Sequence, residues 1–454
     1  MKGLNKISLA ITVSFLSALP CWAKEDNPLA KYLAAPGATV TLEVEAAKKP
    51  FEKDFVQSAY DSFNSFHAQM GGDHTLYYLT HFNSVMRTDL IKPHAEQKVL
   101  KRNLNEDILK LSVKTDSAGE LTFEEYVNHP LFRHQGVMII HKGEVVFEAY
   151  PGMQPTDVHL WASASKTLSG LIVAQMVEEG KLDLDKPATY YAPEFKGSAW
   201  DIVTVRDLVN HTAGLDHEET NQSILDPEGV FVRFVMASIG STQQGAEVES
   251  WREVLKEVQP LEGEKPGERF RYSSLNTQVL GQVIENITGL RWSDVAEKRI
   301  WGKLGARMPL LIHLAPDGTG LNMAFMSSTL EDFAKYATLY TPSWAKVAHE
   351  QVVTPSLLEQ IRSAGSPEAF VGGAKHNQAL GLFAEDPVKG AYQFDFFFKD
   401  GAMYKHGNTG QGIFIDPARD MAAVYFSATP YVKPYGEIKM PAYFRKIANH
   451  LAGN

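Results

Sequence analysis

The 454-residue chain is 44% apolar and 11% aromatic, enough to fill a sizeable globular core, and it carries a formal net charge of −10. An acidic chain without basic clusters cannot neutralise a phosphate backbone, which excludes nucleic acid as a partner. The one cysteine, Cys21, leaves no pair for a disulfide.

The first residues read as a secretory signal. Lys2 and Lys6 are a positive start, Ile7 to Leu19 is an apolar stretch too short for a comfortable membrane span, and Cys21-Trp22-Ala23 ends on a small residue suited to cleavage. A lipidated Cys21 fits poorly behind Ala18-Leu19-Pro20. Cleavage after Ala23 predicts a periplasmic or secreted protein with no thiol and no membrane span. That excludes cysteine nucleophiles and thiolate metal sites. Residues 24–125 read as an N-terminal extension. Within it, Phe51, Phe55, Ala59, Phe63 and Phe66 fall on one side of a helix over Phe51 to Met70, and Asp116-Ser117-Ala118-Gly119 marks a turn.

From Gly136 to Tyr150 the pattern is a hairpin: Val137-Met138-Ile139-Ile140, a turn at His141-Lys142-Gly143-Glu144, then Val145-Val146-Phe147. Next comes Ser163-Ala164-Ser165-Lys166, heading a long apolar helix that ends near Gly180. Positions i and i+3 share a helix face, so Ser163 and Lys166 point into the same space. This is the relation a serine nucleophile needs to an amine base, and the helix N-terminus favours a developing oxyanion. The pattern recurs at Ser343-Trp344-Ala345-Lys346, behind Pro342 and with no long apolar helix after it, which reads as a chance match.

The middle, about 187–345, is expected to be mainly helical, with helices at Thr277 to Ile287 and Ser328 to Leu339. Strands return at Gly412 to Pro417 and Met421 to Phe426, before a last helix over Ala442 to Leu451. Strands at both ends with helices between predict an α+β fold, an α/β sandwich in which one sheet is assembled from distant segments.

Two further segments carry chemistry. Tyr272, in Pro266 to Asn276, precedes a helix and is a candidate proton relay if cationic neighbours lower its pKa. Tyr404-Lys405-His406-Gly407-Asn408-Thr409-Gly410-Gln411-Gly412 leads into a strand whose glycines admit a ligand closely. Its N–H groups can complete an oxyanion hole with the Ser163 N–H, and Lys405 or His406 is placed to orient a substrate carboxylate. His211, His217, Glu218 and Glu219 lack the spacing of a zinc-protease helix, and Asp317-Gly318-Thr319-Gly320 lacks the Lys of a phosphate loop, so neither a metal nor an organic cofactor is expected.

The order Ser163-x-x-Lys166, Leu208 to Leu215 with His211-Thr-Ala-Gly214, Pro266-Gly267 through Tyr272-Ser-Ser274, and Lys405-His406-Gly407 through Asp416-Pro417 resembles the serine β-lactamase and penicillin-binding-protein superfamily, in its class C-like branch, over about 126–454. Gly407-Asn-Thr-Gly410-Gln411 is closest to the 6-aminohexanoate-dimer hydrolase group of amidases and esterases. The resemblance implies an antiparallel sheet flanked by helices with an inserted helical subdomain. It also implies acyl transfer to Ser163 with Lys166 as base and Tyr272 as relay. Ser274, Lys405, His406, Gly407, Gly410 and Gln411 then serve substrate and oxyanion. Ser274 stands where class C β-lactamases carry Asn, which argues against efficient β-lactam hydrolysis. A small ester or amide is the expected substrate. A D,D-peptidase acting on peptidoglycan and a non-catalytic cell-wall binder are the alternatives, and the oligomeric state is open.

Overall fold

A computed structural model describes residues 34–64, 71–241, 247–383, 385–430 and 437–453. The signal-peptide reading lies outside the described residues, as do Phe66 and Met70. The strands, in chain order, are β1 (Thr88–Ile91), β2 (Ser112–Lys114), β3 (Glu120–Thr122), β4 (His134–His141), β5 (Glu144–Ala149), β6 (His159–Leu160), β7 (Leu310–His313), β8 (Met326–Ser328), β9 (Lys389–Ala391), β10 (Phe394–Phe397), β11 (Met403–Gly407), β12 (Gln411–Asp416) and β13 (Met421–Ser427).

Seven of them form an antiparallel sheet in the order β5-β4-β13-β12-β11-β10-β9. Its centre joins the two ends of the chain: β4 pairs with β13, Met138 opposite Val424. Both faces are buried, and the alternation of side chains explains how. Along β13, Ala422, Val424 and Phe426 enter a core shared with the helices of the middle segment. Met421, Ala423 and Tyr425 enter a second core. There the C-terminal helix Met440–Leu451 contributes Tyr443, Phe444 and Ile447. The sheet is thus sandwiched between helices, as the α+β reading expected.

The helix after Ser163 runs Lys166–Glu178 and is buried nearly all round, which fits its unbroken apolar sequence. Gly170 lets it lie against the β9–β10 turn, since a Cβ there would stand 2.2 Å from the Tyr392 carbonyl oxygen. That turn has both central residues, Tyr392 and Gln393, at positive φ (44° and 68°). Tertiary bonds hold it: Gln393 accepts from Thr277 Oγ1 at 2.6 Å and donates to the Leu208 carbonyl at 3.0 Å.

The middle segment is not wholly helical. β7 and β8 belong to a second antiparallel sheet, ordered β1-β7-β8-β6. β1 comes from the stretch read as an N-terminal extension and pairs with β7 over its whole length. The helix Asp73–Val85 from that same stretch is buried over most of its first turns. The described residues of the stretch 24–125 therefore contribute strands and core to the body of the protein. Of the helix predicted from Phe51, the described part is Lys53–Asp61. No helix among the described residues is long and apolar enough to cross a membrane.

Candidate active site

Ser163 sits in the short 3₁₀ turn Ala162–Ser165 that runs into the buried helix. Trp161 fixes the entry. Its N–H donates to Met326 O at 2.7 Å, its indole N–H to Ser328 Oγ at 2.9 Å, and its ring stacks on Phe333 at 4.1 Å. The next residue, Ala162, takes φ of 47°, a left-handed conformation that costs a non-glycine residue about 1 kcal/mol. The chain then swings so that Ser163 meets the cleft.

Lys166 is fully buried one turn on. Its Nζ lies 3.0 Å from Ser163 Oγ, 2.8 Å from Ser274 Oγ and 2.6 Å from Met323 O. Three acceptors match the three N–H bonds of an ammonium. The same arrangement suits the neutral amine, which donates to Ser274 and Met323 and accepts from the Ser163 hydroxyl. Burial pulls the Lys166 pKa down to about 7; Glu219 opposes this, and Lys405 adds to it. The amine is therefore available as a base near neutral pH.

Tyr272 enters the site just ahead of the helix Ser274–Thr288, whose N-cap Ser273 accepts from Leu275 N through its Oγ. Its carbonyl accepts from Glu219 N at 2.9 Å, and Arg271 N donates to His211 O at 2.7 Å, so two loops clamp this strand of chain. The phenol is buried, and its hydroxyl makes no sound hydrogen bond, although Ser163 and Ser274 are near enough to ease its ionisation. Three lysine Nζ atoms surround the ring: Lys375 at 4.1 Å, Lys405 at 4.2 Å and Lys166 at 5.2 Å from its centroid. The expectation that these cations lower its pKa is corrected. Burial raises it well above the ordinary value, and the carboxylates of Glu219 and Asp395 add to the rise. Tyr272 is a neutral phenol, able to donate a proton or pass one on, and not a resident phenolate base.

β11 passes beside the serine turn. A Cβ on Gly407 would come within 3.0 Å of Trp161 O, so glycine permits the approach. Several roles expected on this strand need correction. Lys405 is fully buried and tied to Asp395 at 2.7 Å. Its charge is spent inside the protein, and burial brings its pKa down to about 8. His406 borders the cleft, but burial drops its pKa to about 3, so it is neutral and cannot attract a carboxylate as a cation. Its Nδ1 meets Tyr404 OH at 3.1 Å. Gln411 is also fully buried. It donates to Thr409 Oγ1 at 2.7 Å and Ser427 O at 3.1 Å, stapling the turn rather than touching substrate. Gly410, at φ of 87°, closes the same turn through its N–H to Gly407 O. Ser274, expected to serve substrate, holds the lysine. Asn276 is away from the cleft, bonded to His217 Nε2 at 2.8 Å.

Three residues have site roles that the sequence reading did not give them, Glu219 having been weighed there only as part of a rejected metal cluster. Asp395 anchors Lys405 and accepts His406 N at 3.0 Å. Burial alone would raise its pKa, but Lys375 and Lys405 outweigh that and hold it below the usual range. Glu219 accepts from Ser274 N and faces Lys166. Lys375 comes from the helix Ala374–Leu382, far from any motif. An acid inside a run of phenylalanines, as at Phe394 to Phe398, was the one signal open to reading. By contrast, Ser343 donates to Asp420 Oδ2 at 2.6 Å, in the turn at the far end of the β12–β13 hairpin, roughly 20 Å from Gln411 along the strand.

All of this opens into a cleft of about 1220 Å³ bordered by Ser163, Tyr272, Ser274, Lys375 and Asn408. Part of its wall is apolar, including Phe231, Val235 and Phe325. Another part comes from the two ends of the fold: Glu437 accepts from the Asp116 and Ser117 amides, and all three border the cleft.

Comparison with known proteins agrees with this architecture. The 6-aminohexanoate-dimer hydrolase of Paenarthrobacter ureafaciens is 27% identical over 297 residues, covering 64% of this chain and 72% of that protein. A solved structure from Bacillus anthracis, named as a candidate 6-aminohexanoate-dimer hydrolase, superposes with a TM-score of 0.68 over 91% of this chain and 99% of that one, at 18% identity. EstCE1, described as a hydrolase with promiscuous acyltransferase activity, superposes with a TM-score of 0.50 over 70% of this chain and 93% of that one, at 20% identity. The Beta-lactamase family model matches residues 130–443, and on that match the chain belongs to the beta-lactamase family of serine hydrolases.

Proposed function

We propose that this protein hydrolyses an ester or amide through an acyl-enzyme on Ser163. The observation that carries the reading is the contact of Lys166 Nζ with Ser163 Oγ at 3.0 Å, made by an amine whose burial brings its pKa to about 7. Neutral Lys166 takes the Ser163 proton as Oγ bonds to the carbonyl carbon. The oxyanion is held by backbone N–H groups of Ser163 and of the chain following His406, each such donor worth about 3 kcal/mol. As the carbonyl reforms, the bond to the leaving group breaks. Tyr272 gives that group its proton and is resupplied from Lys166. Water then adds to the acyl carbon by the reverse path, and Ser163 leaves protonated. The named activity of the Paenarthrobacter relative favours an amide between small aliphatic units. Export, predicted from the first 23 residues, would place the enzyme outside the cytoplasm.

The test is intact-protein mass after a fluorophosphonate and, separately, a penicillin, on wild type, Ser163→Ala and Ser343→Ala. One fluorophosphonate adduct on wild type and Ser343→Ala but none on Ser163→Ala is expected, with ester turnover following the same pattern. A persistent penicillin adduct would favour the penicillin-binding alternative. Labelling retained in Ser163→Ala refutes the assignment.

A further inference from the structure

Two acids sit side by side after His217, and among the described residues only the first is in an ion pair: Glu218 meets Arg271 at 2.6 Å. Glu219 is pinned twice to the chain that carries Tyr272. Its N–H donates to Tyr272 O at 2.9 Å, and its Oε1 accepts from Ser274 N. The other oxygen, Oε2, has no hydrogen-bond partner among the described residues, and Glu219 borders the cleft. Ser274 in turn reaches Lys166 at 2.8 Å, and Lys166 reaches Ser163 at 3.0 Å. After burial, Glu219 is the strongest influence on both Lys166 and Tyr272. A carboxylate oxygen held in place from two sides therefore stands beside the groups that handle the proton, with no protein donor to meet it.

We propose that Glu219 Oε2 holds the water that releases the acyl group, by accepting the one hydrogen of that water which does not react. This rests on the acyl-enzyme reading above. Water enters where the leaving group departed, beside Tyr272. Its oxygen bonds to the acyl carbon while one of its protons passes to Tyr272, whose own proton passes to Lys166. The carbonyl then reforms, the bond to Ser163 Oγ breaks, and Lys166 returns a proton to that oxygen. The second hydrogen stays on the water oxygen throughout and leaves with the product acid. A bond from it to Oε2 fixes the direction of the attacking lone pair, and a carboxylate makes that bond stronger than a neutral acceptor would. An alcohol has no second hydrogen to offer. Glu219 thus favours hydrolysis over transfer of the acyl group to an alcohol.

The test is a partition. 4-Nitrophenyl butyrate is turned over at a fixed methanol concentration, and the initial rates of butyrate and methyl butyrate formation are measured by gas chromatography. Both products come from one acyl-enzyme through one base. Their ratio is therefore blind to the acylation rate, to the amount of folded enzyme and to the shift that Glu219 imposes on Lys166. With its oxygen kept on Ser274 N, Glu219→Gln puts an N–H donor where Oε2 was, and Glu219→Ala removes the group. Each should raise methyl butyrate relative to butyrate by about tenfold, the worth of one hydrogen bond to a charged group. Glu218→Gln, whose partner is Arg271, should leave the ratio unchanged. A ratio that stays at the wild-type value in both Glu219 variants, or that rises equally in Glu218→Gln, overturns the proposal. If Ser163→Ala is inert, that result removes the role of Glu219 alone. Turnover that persists in Ser163→Ala removes the acyl-enzyme reading itself, and this proposal with it.

Discussion

If Lys166 is the base, only its neutral form starts the reaction, and its pKa becomes the pH profile of acylation. With a pKa of about 7, the neutral fraction is about 9% at pH 6, half at pH 7 and about 91% at pH 8. An exposed lysine would be neutral to only about 0.03% at pH 7. The second-order rate constant for 4-nitrophenyl butyrate, corrected for spontaneous hydrolysis, should therefore rise about tenfold from pH 6 to pH 8 and level off. Neighbours set the direction of any shift. Glu219 stabilises the ammonium, so Glu219→Gln should move the midpoint down, whereas Lys375→Gln removes a repelling cation and should move it up. The same pKa is a statement about stability. The unfolded chain holds this proton up to about pH 10.5 and the folded chain releases it near 7, so stability rises with pH across that window. The group contributes a rise of about 2 kcal/mol between pH 7 and 9, and that rise should vanish from Lys166→Met in urea titrations. A flat rate profile, a midpoint near 10, or identical pH-stability curves for wild type and Lys166→Met would refute the reasoning.

Ser274→Ala removes one of the three acceptors around Lys166. It should cost roughly 10- to 100-fold in kcat/KM while fluorophosphonate labelling of Ser163 persists at a lower rate. Asp395→Asn leaves Lys405 buried without its carboxylate, and denaturant unfolding should show a loss of about 3–5 kcal/mol. Gly170→Ala drives a methyl against the Tyr392 carbonyl. A loss of about 1–3 kcal/mol is expected by the same assay, and an unchanged midpoint would show that the β9–β10 turn can move aside.

Local pattern and global contact divide what was readable from the chain. The hairpins at β4–β5 and β12–β13 were legible because β-rich runs flank glycine or polar turns. The Lys166–Glu178 helix was legible because its apolar run is long. Ser163 and Lys166 were legible as a pair because one helical turn joins them. The small sheet of β1, β6, β7 and β8 was not, since strands of two to four residues carry too little alternation and their partners lie far apart in sequence. Lys375 looks like any solvated helix residue until the fold lays it on Tyr272. The sign of the Tyr272 shift was not legible either, because the depth of its burial and the carboxylates of Glu219 and Asp395 beside it appear only in the fold.

The pairing of β4 with β13 also governs when the site comes into being. Met138 waits for Val424, and the cleft wall at Asp116 waits for Glu437. Contacts this distant are reached late, after the entropy of closing a very long loop has been met. A ribosome releases the chain from its first residue onward, so the Ser163 turn emerges long before β11 can lie beside it. Lys166 is enclosed only once Ser274 and Met323 close on it and β11 lies beside the serine turn, and until then the pair is expected to behave as an ordinary amine and an ordinary alcohol. The expected consequence is that reactivity appears only with the completed sheet, so that a chain cut short before Met421 should carry the whole Ser-x-x-Lys sequence without the chemistry.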